Sequence, residues 1–381
     1  MLGEREKRTI LSLTIWDACN NILEEGITDE VLDAIFREGM LKVALVNAEK
    51  NSVLIKNKSV LRFKAITELR YKSIINNMND FLAQIGDYNY VNFKGSVLNH
   101  YVYEKIGCYR LMGDCDILVH EKDALSLYKF VKSKIKDVYL TDNEDLVKYY
   151  IHYLQHLPGI SYRTFHYEIH HRLNQLNEPY PIKHKYMFID TVKEGNFVFP
   201  CFGMFFISMC QHVFRHEYFE ATFKWRNICD IINIILVCSI DWENISKLVD
   251  KVTSKFVMFY VLTRAQTVYK FVAGIPLLST DVINLFSSDH DKELDDIVFK
   301  TYHPESNGFY YIGKWSQGYL ERLFKGAVND INRNDLVSID FNYQFVRRVQ
   351  YDNMIRQCKE IGVDFDSFKD SVIPVESGMP E

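Results

Sequence analysis

Two aspartates two residues apart, Asp114 and Asp116, stand in an otherwise apolar stretch, DCDILV over 114–119. In a strand, residues i and i+2 point to one face. Both carboxylates therefore project together, while Cys115 and Ile117 face the other way. Carboxylates side by side near a core repel unless a divalent cation neutralises them. Hard cations such as Mg²⁺ take oxygen ligands, typically one or two carboxylates with substrate phosphates. A solvated pair at a strand end is the plainer alternative for a lone Asp-x-Asp. Two further groups bear on that choice. Lys94-Gly95-Ser96 lies between an extended segment and a helical one. Glycine permits close backbone approach, and a serine hydroxyl with helix N-terminal amides can hold a phosphate. A serine there is equally an ordinary N-cap. Glu168 falls in another extended segment, where His166, Glu168 and His170 share one face. It offers a third carboxylate, to complete a metal cage or to take a proton from an attacking hydroxyl. By itself it is as readily a surface strand residue.

These groups need elements to position them. YNYVNF over 88–93 is rich in aromatic and β-branched residues and breaks at Gly95-Ser96, a strand followed by a turn. A short helix over 97–105 and a loop containing Gly107 and Gly113 lead into the strand at 114–119. An amphipathic helix over 123–137, a helix over 143–156, a Pro158-Gly159 turn and a strand over 161–173 follow. Strands alternating with helices argue for an α/β unit. Helix dominates on both sides. Ile10, Leu11, Leu13, Ile15, Ala18, Ile22 and Leu23 approximate one apolar face, and 59–85 forms a longer amphipathic stretch closed by Gly86. From Phe202 the chain is apolar almost all round, as core helices are. From about 300 it is mixed, and VIPVESGMPE at the end is expected to fray. The expected class is α+β: a helical region over 1–87, a small α/β core with a mixed sheet over 88–200, and a mainly helical domain over 201–381.

The 381 residues suggest two to three structural units. A composition 48% hydrophobic and 25% charged excludes disordered, collagenous and low-complexity architectures. A chain this long needs no disulfides or structural metal to fold. The net charge of −5 disfavours extended nucleic-acid binding, although a tRNA 3′ end needs no more than a small basic groove. Eight cysteines, none in a CxxC pair, are expected to be reduced and buried in a cytoplasmic protein. The N-terminal apolar run stops at Asp17 without a cleavage site, so no signal peptide is expected. The longest apolar run, Ile231 to Ile240, is too short to span a bilayer.

Taken in order, Lys94-Gly95-Ser96, Asp114-Cys115-Asp116 and the Glu168-Ile169-His170 strand resemble the nucleotidyltransferase superfamily pattern. Arg110 and Gly113 before the Asp-x-Asp, and His212…His216 followed by Trp225…Asp230, look more closely like the bacterial "uncharacterised nucleotidyltransferase" family, over roughly 85–240. His171 stands where that family tends to have tryptophan, and the third acid is Glu where Asp is common, which keeps a carboxylate with a different reach. The resemblance implies a polymerase-β-like core and two-metal nucleotidyl transfer. Asp114, Asp116 and Glu168 would hold Mg²⁺ or Mn²⁺, and an acceptor hydroxyl on a small molecule, a protein or tRNA would attack the α-phosphorus of an NTP. Gly95 and Ser96 would hold the β- and γ-phosphates, with Lys94 or Arg110 adding charge; a guanidinium suits bidentate phosphate contact.

Lys224 and Arg226 could reach the triphosphate from the helical domain, though a solvated helix face is an equal reading. His212 and His216, like His152 and His156, have i, i+4 metal-ligand spacing but no evident third ligand, and are read as buried structural histidines. Tyr162, Tyr167, Tyr186 and Phe188 could stack a base or simply pack a core. Two other functions stay open: a nucleotide-sugar glycosyltransferase using Asp-x-Asp, and a nucleotidyltransferase fold kept as a binding or antitoxin-like module.

Overall fold

A computed structural model describes residues 4–18, 27–53, 55, 58–174, 180–219, 224–287 and 354–368. Apart from 354–368, the mixed tail expected from about 300 lies outside these residues, as does the frayed terminus. Four helices come first: α1 (Glu4–Thr14), α2 (Asp29–Arg37), α3 (Leu41–Lys50) and α4 (Lys58–Gln84). The sheet region comes next: β1 (Tyr90–Phe93), α5 (Gly95–Leu98), β2 (Asp114–Val119), α6 (Glu121–Lys134), β3 (Val138–Tyr139), α7 (Glu144–Tyr153), β4 (Ile160–Tyr162) and β5 (Phe165–His170). A small hairpin, β6 (Val192–Glu194) and β7 (Phe197–Phe199), precedes α8 (Phe202–Phe214), α9 (Trp225–Val237), α10 (Trp242–Val252), α11 (Lys255–Ala273) and α12 (Thr280–Asn284). The architecture is α+β, as expected.

The sheet runs β1-β2-β5-β4-β3. β2 pairs with β1 antiparallel and with β5 parallel, so the sheet is mixed. Sequence suggested one strand over 161–173. The chain instead turns back at Arg163-Thr164 to make the antiparallel β4–β5 pair, with Arg163 at φ 54°. No glycine or Asn-Gly signal announces that turn. Arg163 is held there by the hydrogen bond its amide donates to the Asp137 carbonyl and by its ion pair with Asp80 at 2.6 Å.

Strand alternation sends the two faces of β2 into different cores. Cys115, Ile117 and Val119 pack with α4, α6 and the β4–β5 side chains. Leu118 joins the other core, where α1 to α3 share one cluster with α8 to α11. Asp116, between Cys115 and Ile117, therefore faces the helices. A third cluster pins the 354–368 segment onto α7. Among the described residues no helix is long and apolar enough to cross a membrane, and the seven described cysteines are free.

Helix starts are capped as composition demands. Thr28 accepts from the Val31 amide, Asn143 from Leu146 and Asp241 from Asn244. Between α2 and α3, Gly39 takes φ 73°, and its carbonyl accepts from the Leu111 amide. A Cβ on it would lie 2.6 Å from the Leu111 oxygen. That close contact seats the loop ahead of β2.

Candidate active site

The carboxylates meet at the open end of β2 and β5. Parallel register places Asp116 beside Glu168 and Asp114 beside His166. Asp116 is 2% exposed, whereas Asp114 begins the strand at the surface. An ionised carboxylate so deep costs several kcal/mol unless it is paired and hydrogen-bonded. Two cations or donors meet that demand on one oxygen. Lys94 Nζ lies 2.5 Å from Asp116 Oδ1, and His170 Nε2 lies 2.9 Å from the same atom. His170 Nε2 also reaches Glu168 Oε2 at 3.1 Å.

Burial opposes charge on Asp116, but Lys94 and His170 outweigh it and hold the carboxyl well below the ordinary carboxylate range. Burial likewise opposes ionisation of Glu168. The hydrogen bond with His170 and the proximity of His156 prevail, and its carboxyl is lowered too. Asp114 behaves oppositely: loss of surrounding water, then the Asp116 charge, raises it. Two carboxylates stay ionised, and a third resists becoming so.

Lys94 reaches Asp116 from an unusual backbone. At φ 56° and ψ −119° it takes a conformation that suits glycine. Such strain costs about 1–3 kcal/mol and persists where its surroundings over-determine it. Here the β1 pairing before it and α5 after it leave the chain no other course. Gly95 comes next. A Cβ there would sit 3.0 Å from Met112 Cγ and 3.7 Å from Arg110 Nη2, so the absent side chain leaves room beside the arginine. Ser96 is 8% exposed, and its buried Oγ has no hydrogen-bond partner among the described residues. It also lines a cleft of about 470 Å³ together with Tyr71 and Ile75 of α4, His100, and Phe197 and Phe199 of the hairpin. None of the three carboxylates lines that cleft.

Arg110 is buried and firmly placed. Asn99 grips its backbone twice, accepting from its amide at 2.8 Å and donating to its carbonyl at 2.9 Å. Its Nη1 lies 3.1 Å from Asp230 Oδ2, and the Tyr103 hydroxyl donates to Asp230 Oδ1 at 2.6 Å. Asn233 donates to that hydroxyl and to the Thr14 carbonyl, tying the arginine to α1 and α9. Lys224 is exposed just before α9, and no hydrogen bond or ion pair joins it to the carboxylates among the described residues.

Five further residues join the site, of which sequence had offered only Arg226, as a possible triphosphate contact. His170 joins the carboxylates; its position two residues from Glu168 was the available signal. His156 bridges to His170 through the backbone, with the rings 5.2 Å apart, so this histidine lies beside the cluster. Arg226 and Asp230 approach Arg110 from α9, and their i, i+4 spacing was the legible part. His212 is enclosed by the same groups: burial, then His216, Arg215, Lys94 and Arg226, hold its imidazole well below the ordinary range and hence neutral.

The donor set suits a divalent ion. Asp116, Glu168 and His170 present ligand atoms within 4.8 Å of one another, the only such trio of metal-ligating side chains among the described residues. Two carboxylates and an imidazole, with no thiolate among them, are donors that a divalent cation accepts. Residues 56–270, more than half the chain, match the family model described as "Uncharacterised nucleotidyltransferase". No curated protein and no solved structure matches the chain.

Proposed function

Because the chain belongs to the uncharacterised nucleotidyltransferase family, we propose that it transfers a nucleoside monophosphate from an NTP to an acceptor hydroxyl, releasing pyrophosphate. The acceptor would be a small molecule, a protein or a tRNA end. One observation carries the reading: a buried aspartate and a glutamate, adjacent in parallel register, share an imidazole, and the aspartate also holds an ammonium. Nothing in packing calls for that expense in a strand core.

Asp116, Glu168 and His170 would hold Mg²⁺ or Mn²⁺, with Asp114 beside them at the strand mouth. A divalent ion there would supply positive charge against the phosphate oxygens and the developing alkoxide. The chain's own groups do the rest. Glu168, ionised and partly open to solvent, accepts the proton of the acceptor hydroxyl. Gly95 leaves space for phosphate oxygens, and the unpartnered Ser96 hydroxyl is free to donate to one. Arg110 brings positive charge to the Gly95 step and Lys94 brings it beside Asp116, and Lys224 would add more from the start of α9. The aromatic cleft beside Ser96 accommodates a ring, either the base or the acceptor.

One observation favours a second reading, a fold retained as a binding module. Lys94 already neutralises Asp116, as a cation in place of the metal would. Transfer of label from α-labelled NTPs, with Mg²⁺ or Mn²⁺ and cell extract as the acceptor source, separates the two. Label that appears with the native chain and vanishes in Asp116→Asn and Glu168→Gln supports transfer. NTP binding without transfer under either metal supports the module.

A further inference from the structure

The cleft of about 470 Å³ beside Ser96 has a chemistry distinct from that of the carboxylate trio. Its volume lies in the range of about 300–1,000 Å³ that small-molecule sites occupy. Its walls are aromatic and already set. His100 stacks on Phe199 with ring centres 4.3 Å apart, and Tyr71 stacks on Tyr109 at 3.8 Å. Its inner end is closed by two buried residues, Met112 and Ser96. The Ser96 hydroxyl has no hydrogen-bond partner among the described residues, and a buried hydroxyl in that state calls for an occupant. Its outer side carries acid. Glu104 is exposed, and Glu194 is 57% exposed at its side chain, with Oε2 3.4 Å from His100 Nδ1. Among the described lining residues these two carboxylates stand against one ammonium, Lys72.

We propose that this cleft is the acceptor pocket, and that it takes a small aromatic or heterocyclic amine carrying a hydroxyl. The inference rests on the nucleotidyl-transfer reading of the site. An ammonium at the outer end meets two carboxylates and aromatic faces, both of which attract cations. A phosphate there would meet two anions, which sets aside the nucleotide's polyphosphate and a tRNA end. The flat ring stacks among Phe197, Phe199 and Tyr71. The hydroxyl then lies at Ser96, two residues from Lys94, whose ammonium pairs with Asp116. A serine hydroxyl has one proton to give and two lone pairs, so Ser96 can orient the acceptor hydroxyl as well as a phosphate oxygen. In the transfer, the acceptor oxygen bonds to the α-phosphorus and its proton passes to Glu168. The bond from that phosphorus to the bridging oxygen breaks, and its electron pair leaves with pyrophosphate.

Ligand-observed NMR titration of the full chain in EDTA tests this with two probes of one shape. Tyramine carries an ammonium, and 3-(4-hydroxyphenyl)propionate carries a carboxylate in its place. Tyramine should bind at least about fivefold more tightly, since one probe gains and the other opposes the rim charge. Glu194→Gln should weaken tyramine about two- to fivefold, the worth of a solvent-exposed ion pair, and narrow the gap between the probes. Glu104→Gln should act likewise, with circular dichroism as the folding control for both. In the label-transfer assay tyramine should compete with the acceptor from extract and leave the KM for NTP unchanged. No tyramine binding, equal affinity for the two probes, or undiminished affinity in both glutamine variants overturns the proposal. Competitive displacement of tyramine by a mixture of the four NTPs in EDTA places the base in the cleft and overturns it too. Any of these results leaves the proposed function standing if label still reaches an acceptor from extract. Charge-selective tyramine binding by a chain that transfers no label overturns the acceptor role and the transfer reading together, and leaves an amine-binding pocket.

Discussion

Replacing Lys94 by methionine probes the central pair directly. The substitution keeps side-chain length and the strained backbone but deletes the ammonium 2.5 Å from Asp116 Oδ1. Lys94 is 20% exposed at its side chain and Asp116 is 2% exposed. Removing one partner of a buried ion pair costs about 3–5 kcal/mol. His170 contacts the same oxygen and remains, so the lower end, near 3 kcal/mol, is expected. Urea unfolding in EDTA reads that loss. The same titration in excess Mg²⁺ or Mn²⁺ then reads the metal, because ligand binding to the native state adds stability as RT ln(1 + [L]/Kd), about 2.7 kcal/mol at a hundredfold excess over Kd. In the native chain the ion must compete with the ammonium for Asp116. In Lys94→Met it does not, so metal should restore the variant by more than it stabilises the native protein. Equal stability of the two in EDTA would refute the pair as a stabilising contact. Equal metal increments would refute the competition.

Acid should act through the same aspartate. Its folded carboxyl lies below the ordinary value while the unfolded one titrates near about 3.9, so its stabilisation is present above that pH and lost as pH falls through and below it. In metal-free buffer the native chain should therefore lose stability more steeply than Asp116→Asn between about pH 5 and pH 2; parallel acid limbs would contradict this. Gly95→Val should leave the chain folded at a cost of about 1–3 kcal/mol for overpacking against Met112, yet raise the KM for NTP severalfold by filling the space beside Arg110. Unchanged KM would rule out phosphate contact at that step. Gly39→Ala forces a Cβ to within 2.6 Å of the Leu111 oxygen at a positive φ, and should cost about 1–3 kcal/mol in thermal or urea unfolding. A neutral result would mean that the loop ahead of β2 does not depend on this contact. Glu168→Gln should abolish label transfer, while NTP affinity measured in EDTA stays within about threefold, since without metal the change removes a proton acceptor and spares the chain's own phosphate contacts.

Local chemistry was legible in the residues themselves. The strand at 114–119 begins and ends as its apolar run predicts, because a buried strand is specified by the types of its own side chains. The i, i+2 rule placed the Glu168 and His170 side chains on one face, and their 3.1 Å contact agrees with that period. The Lys94-Gly95 step fell at a strand exit for the same local reason. What sequence could not supply was anything set by partners far along the chain. The turn at Arg163 carries no glycine signal and is imposed by sheet pairing and by Asp80 and Asp137. The left-handed backbone of Lys94 is held by its neighbours against its own preference. Parallel register alone sets Asp116 against Glu168, and a slip of one residue would have turned one carboxylate to the other core. Arg110, Arg226 and Asp230 converge because α1 to α3 and α8 to α11 close into one apolar core around Tyr103 and Asn233. Residue types and short spacings thus determined which groups could do chemistry. Tertiary packing decided which of them share charge, because burial and proximity, unlike period, exist only once distant segments have met.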